Sequence, residues 1–349
     1  MGEVWLAERI SEGKHSQMVA IKYIHLEEHS LMLADEALRM SRLAHDNIVP
    51  FIDSGRDGKG RFFVAMAYVD GMDLVQLRAL AGLTSQAAYS GKATGRVPDL
   101  IIGFLMFMLL RALHHAHTYD FGDGIVGLVH RDVSPGNVLI NDKQGFVKLT
   151  DFGVAVRQDS GTTTGGLVGK VPYMAPEVLV DEEVDIRADL YSLGLVAYEL
   201  LTGINPNVHP LGLKSILSAI TNVMLELEKP RRPPHEVIEG VNPELSQIVA
   251  KLLSFAAEDR YQSADRIIAD IVPVLYGGGV GPGAEALVSY LDLLRSPDKE
   301  APKRMRAILQ FLAGADGKLD IRPQWTLTRD AMRAIEAGEN PARVSRGNH

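Results

Sequence analysis

Residues 129–153 read VHRDVSPGNVLINDKQGFVKLTDFG. In order they place an HRD triplet, an asparagine five residues after its aspartate, and a DFG triplet. That arrangement supplies a proton-accepting carboxylate and two oxygen ligands for hard cations at the spacing that phosphate chemistry needs. Seven fixed letters at fixed spacing arise by chance on the order of once in a million chains of this length. The stretch therefore reads as a catalytic centre, with Asp132 as the proton acceptor and Asn137 and Asp151 as the oxygen ligands.

The composition fits such a centre and excludes other classes. The chain has 349 residues, 46% hydrophobic and 23% charged, so it can bury a large core and is not a disordered chain. A net charge of −8 argues against nucleic acid or an anionic membrane as the main partner, because both reward basic faces. There is no cysteine, hence no disulfide and no thiolate metal site. The apolar run IIGFLMFMLL at 101–110 is shorter than a bilayer span and is followed by Arg111 and three histidines, so it reads as a buried helix. The start, MGEVWLAERI, has acidic residues where a signal peptide carries basic ones, and the cytoplasm is the expected location.

Working outward, residues 4–25 alternate in strand fashion around the polar turn SEGKHS and read as a hairpin. A helical pattern occupies about 31–43, and IVPFIDSG and RFFVAMAYV read as a second strand pair joined by RDGKG. From about 73 the pattern turns helical, with a long helix over about 98–118 and another over 184–203 ending at Gly203. The prolines of KPRRPP at 229–234 interrupt the later helices. A second DFG at 120–122 lacks a strand context and reads as a loop. Of the histidines 114, 115 and 117, the adjacent ones point to different helix faces and the i, i+3 pair His114 and His117 lacks a nearby carboxylate, so they read as a helix end of mixed burial, not a metal site. GGGVGPG at 277–283 reads as a linker before a tail over 284–349.

With VAIK at 19–22, APE at 175–177 and DLYSLG at 189–194 in order around the HRD and DFG segments, the chain resembles the protein kinases, and in particular the bacterial Hanks-type serine/threonine kinases. The resemblance covers about 1–275. It implies an α+β, bilobal protein kinase fold: a small antiparallel-sheet lobe with one helix over 1–70, and a large helical lobe over 71–276. It implies ATP and Mg²⁺ as cofactors and proteins as partners. Lys22, held by Glu36, would clamp nucleotide phosphates; Asp132 would orient the substrate hydroxyl; Asn137 and Asp151 would hold the metal. Val4, Ala20, Leu139 and Met66 would line the adenine slot, with the backbone of Ala67 and Val69 meeting the base. Met40, His130, Phe152 and Asp189 would stack as an internal column, and Arg260 would pair with Glu177. Ser160, Thr162, Thr163 and Thr164 offer phosphorylation sites that Arg131 could meet, an electrostatic switch for the segment.

Three positions depart from the family pattern. MGEV at 1–4 supplies only the end of the glycine-rich phosphate loop, with Gly2 as its third glycine. An assigned start downstream of the true one is the expected reason, and weak nucleotide binding the expected result. Ser134 stands where the family carries a lysine, and Lys170 where it carries a threonine, so Lys170 is expected to replace the missing cation. The loss at 134 leaves tyrosine open as an acceptor, while YMAPE and the helical lower lobe point to serine and threonine. The alternative to an enzyme is a scaffold of the same fold that binds partners or nucleotide without turnover.

Overall fold

In a computed structural model, residues 3–10, 16–24, 37–82, 97–122, 124–152, 170–180, 182–208, 220–221, 223–224, 227, 231–277 and 281–295 are described. The smaller lobe is an antiparallel sheet of β1 (Val4–Ile10), β2 (Ser16–Ile24), β3 (Phe51–Arg56) and β4 (Phe62–Ala67), in the order β1-β2-β4-β3. Both hairpins read from the alternating pattern are present. β2 is the sheet's inner strand beside the cleft: Ala20 faces Leu6 on one side and Met66 on the other, and Lys22 lies between Val4 and Val64. The register thus fixes Val4, Ala20, Lys22 and Met66 relative to one another before any side chain is considered.

The expected helix is seen as α1 over residues 37–42, its earlier part lying outside the described residues. Ala37 and Met40 bury its inner face. The chain then crosses to the larger lobe and back: Val49 N–H donates to Leu149 O at 2.9 Å and Leu149 N–H to Asn47 O at 2.8 Å. Asn47 Nδ2 also donates to Val147 O at 2.9 Å, so a buried amide stitches the two lobes.

After β5 (Gly71–Asp73) the larger lobe begins with α2 (Leu74–Leu80), whose cap Asp73 exchanges side-chain and backbone bonds with Gln76. α3 (Asp99–Thr118) is long and apolar enough to cross a membrane by length and composition, and most of that apolar stretch is buried inside the lobe. β6 (Val138–Asn141) pairs with β5 on one side and with β7 (Val147–Leu149) on the other in a second antiparallel sheet. Beyond them come α4 (Pro176–Leu179), α5 (Ile186–Thr202), α6 (Pro243–Leu252) and α7 (Ala264–Tyr276). α5 is the buried axis: Asp185 caps its start by accepting from Arg187 N–H, and Gly203 at φ 75° ends it by donating to Glu199 O. Every residue from Ala188 to Thr202 is buried.

The second DFG does form a loop, closed by a bridge between Asp120 and Val126. The first part of the stretch after the glycine-rich linker, read as a tail of open role, packs on the larger lobe. α8 (Ala284–Arg295) buries Ala286, Leu287, Tyr290 and Leu291 in the same core as the larger lobe. A Cβ on Gly145, at φ 70°, would lie 2.2 Å from Ala284 O, so the β6–β7 turn and the start of α8 touch at backbone distance. Arg295 contacts Asp142 on the same turn.

Candidate active site

The HRD segment is held from behind by α5. Asp189, buried in the first turn of that helix, accepts His130 N–H through Oδ2 and Arg131 N–H through Oδ1, both at 2.7 Å. Arg131 has φ 64°, a left-handed conformation costly for a side chain of its size, and the paired acceptor holds it there. His130, with no exposed surface, receives Asp132 N–H on Nδ1 at 3.2 Å. Its proton therefore sits on Nε2, which donates to Thr150 O at 2.8 Å and ties the segment to the strand end before Asp151. The ring of Phe152 meets His130 edge-on at 4.5 Å. Met40, His130, Phe152 and Asp189 are all buried, as the column reading requires.

Asp132 is fixed from two directions. Asn137 Nδ2 donates to its carbonyl at 2.7 Å and to Oδ2 at 2.8 Å, and Lys170 Nζ reaches the same oxygen. With its amide nitrogen committed to Asp132, Asn137 leaves Oδ1 for another partner. Asp151, at φ 63°, turns its carboxylate across the cleft to Lys22 Nζ at 2.7 Å. Lys22 thus finds Asp151, while the expected partner Glu36 lies outside the described residues, as do Gly2 and the serine and threonines at 160–164. Asn137 Oδ1 and the Asp151 carboxylate are hard oxygen donors of the kind Mg²⁺ takes, so the residues present fit that ion.

The residues that the resemblance places around a base come from both lobes. Met66 is buried and accepts Thr150 Oγ1–H on its sulfur at 3.6 Å, while Ala20, Ala67, Val69 and Leu139 are half-buried and Val4 is exposed at the sheet's edge. Ala67 N–H already donates to Pro50 O at 2.9 Å, which leaves its carbonyl as the group it can offer a base. Behind Met66 a small cavity is lined by Met40, Leu43, Val49, Leu149 and Phe152.

Two features escape a reading of the sequence. His117, read there as a helix-end residue, bonds Asp189 Oδ2 through Nε2 at 2.8 Å and gives the buried carboxylate its third partner. Below the site, Glu199 on α5 meets Arg78 of α2 at 2.7 Å and accepts Tyr173 O–H at 2.5 Å. Burial pushes the Glu199 carboxyl up, against the pull of Arg78, and burial beside Glu199 pushes the Tyr173 phenol up. Arg260 donates to Glu177 at 2.7 and 2.9 Å with its guanidinium over the Tyr191 ring, a structural pair as expected.

Comparison with known proteins agrees with this geometry. Residues 1–270 match the family described as "Protein kinase domain". The chain is 33% identical over 299 residues to the tyrosine-protein kinase MasK of Myxococcus xanthus, covering 83% of this chain and 44% of that protein. It is 31% identical over 316 residues to the serine/threonine-protein kinase PknL of Mycobacterium tuberculosis, covering 90% of this chain and 70% of PknL. The kinase domain of Mycobacterium tuberculosis PknI, a crystal structure, is similar with a TM-score of 0.53 and 25% identity, over 78% of this chain and 90% of that one.

Proposed function

The chain belongs to the protein kinase family, and from that premise we propose that it transfers the γ-phosphate of ATP to serine and threonine hydroxyls of protein substrates in bacterial signalling, in the cytoplasm. The observation that carries this reading is the junction of Asp132 with Asn137 by two hydrogen bonds, facing the Lys22–Asp151 pair.

In this reading Val4, Ala20, Met66 and Leu139 enclose the adenine, and the Ala67 carbonyl and Val69 backbone meet its edge. Gly2 covers the phosphates and Lys22 steadies them, with Glu36 behind it. Asn137 and Asp151 hold Mg²⁺, which when bound screens the charge of the phosphates. Asp132 orients the substrate hydroxyl and takes its proton. The hydroxyl oxygen bonds to the γ-phosphorus, and the bond from that phosphorus to the β,γ-bridging oxygen breaks with its electron pair left on ADP. Autophosphorylation within 160–164, with the new phosphate paired to Arg131, is part of the same reading.

The test is labelling of the 349-residue chain with [γ-³²P]ATP and Mg²⁺ beside Asp132→Asn, followed by phosphoamino acid analysis and site mapping. Label on serine or threonine, lost in the variant, supports the proposal. Undiminished labelling in Asp132→Asn removes the role of Asp132. No label in the wild type favours the scaffold reading, and phosphotyrosine would move the acceptor to the class named for MasK. Absence of phosphate from 160–164 removes the switch.

A further inference from the structure

The cation beside Asp132 comes from a distant part of the chain. Two residues after the aspartate the chain carries Ser134, a neutral side chain, and among the described residues the cation in contact with the Asp132 carboxylate is Lys170, thirty-eight positions later. Its backbone is firmly placed. Tyr173 N–H donates to Lys170 O at 2.8 Å to close a short turn, Val171 is buried, and Asn207 Nδ2 donates to Pro172 O at 2.9 Å. The Tyr173–Glu199 bond then anchors this turn to α5. Only the end of the Lys170 side chain is left to move, and that end lies in the cleft with about a quarter of the side chain exposed.

The ammonium shares Asp132 Oδ2 with Asn137. Both donors on one oxygen leave Oδ1 as the acceptor for an incoming hydroxyl. Lys170 therefore neutralises Asp132 without occupying the oxygen that the reaction uses. A cation at this place lies beside both the proton acceptor and the phosphoryl group in flight, where charge spread over the equatorial oxygens of the transferred group is greatest.

We propose that Lys170 is a catalytic residue that contacts the transferred phosphoryl group, supplying from the turn before APE the positive charge that Ser134 does not supply from the HRD segment. This rests on the phosphotransfer reading above. No bond to Lys170 forms or breaks; its ammonium moves between Asp132 Oδ2 and the phosphoryl oxygens. Because the turn at 170–173 is anchored on α5, the charge reaches the centre only when that turn is seated, which couples catalysis to the platform on which a protein substrate would lie.

The experiment compares steady-state kinetics of the wild type, Lys170→Met and the double variant Ser134→Lys/Lys170→Met, with thermal melts to show that each is folded. Lys170→Met is expected to lower kcat roughly 10²-fold while leaving KM for ATP nearly unchanged, the pattern of a contact made in the transition state. The double variant is expected to recover at least about tenfold of that loss, which a salt bridge serving only stability would not allow. An unchanged kcat in Lys170→Met, or a double variant no faster than the single one, overturns the assignment. If the wild type transfers no phosphate, the phosphotransfer reading falls by itself. The Lys170 contact is then read from binding of Mg²⁺ with a non-hydrolysable ATP analogue against Mg²⁺ with ADP. A preference for the triphosphate that drops on Lys170→Met supports the contact, and an unaltered preference rejects it.

Discussion

Asp189 accepts the backbone N–H of Arg131 at 2.7 Å, and Arg131 keeps a left-handed backbone at φ 64° against that contact. The same carboxylate receives His130 N–H and His117 Nε2, so three groups share one buried charge. Asp189→Asn keeps the shape but turns one acceptor oxygen into a donor that faces donors. The change is expected to cost about 1–3 kcal/mol in stability and to lower kcat by roughly tenfold or more through a loosened HRD segment. Urea denaturation and kinase assays check it; a variant with unaltered stability and turnover would show that Arg131 needs no such support.

Arg78 and Glu199 are both largely buried and 2.7 Å apart. Arg78→Met removes the cation and strands a carboxylate that burial already pushes up, so a loss of about 3–5 kcal/mol is expected. Adding Glu199→Gln should return much of it, since a neutral amide can keep the Tyr173 bond. Denaturation midpoints of the single and double variants decide; equal losses in both would mean that the pair contributes through packing alone.

His45 and His115 stack at 5.1 Å where the two lobes meet. Burial pushes His45 down, aided by His115, Arg111 and Lys148 and opposed by Asp46; burial and His114 push His115 down. Both prefer the neutral form in the folded state, so the unfolded chain binds more protons just below the ordinary histidine pKa of about 6.5. Stability is therefore present above that value and is lost as pH falls through it. The melting temperature is expected to drop between about pH 7 and 5.5, and to drop less in His115→Gln. Parallel melting curves for the two proteins across that range would exclude the pair as the cause.

Leu287 of α8 is fully buried against the larger lobe. Leu287→Ala is expected to destabilise the protein by about 2–5 kcal/mol, measured by chemical denaturation. A loss below about 0.5 kcal/mol, the range of a surface change, would detach α8 from the core.

The candidate site was legible where it is local: HRD, the asparagine and DFG lie within one stretch, and the first hairpin reads from the two strands around SEGKHS. What stayed hidden depends on distant partners. His117 looked like one of several helix-end histidines because Asp189 is 72 positions away. The Lys22–Asp151 contact crosses the cleft and has no signature in spacing. The role of the stretch after the glycine-rich linker stayed open in the sequence, because the core that α8 joins is built from distant residues. Lys170 was the exception, found from a missing charge at 134 and a surplus one at 170, and the structure brings it to Asp132.

The Lys22–Asp151 ion pair also has a mechanical meaning. It ties a strand of one lobe to the DFG segment of the other at 2.7 Å, in addition to the stitch that Asn47 makes. One tie is ionic and the other a neutral amide bond, so the two respond differently to the solvent. Because the ionic tie is partly exposed, raising the salt concentration is expected to weaken it while leaving the Asn47 stitch in place.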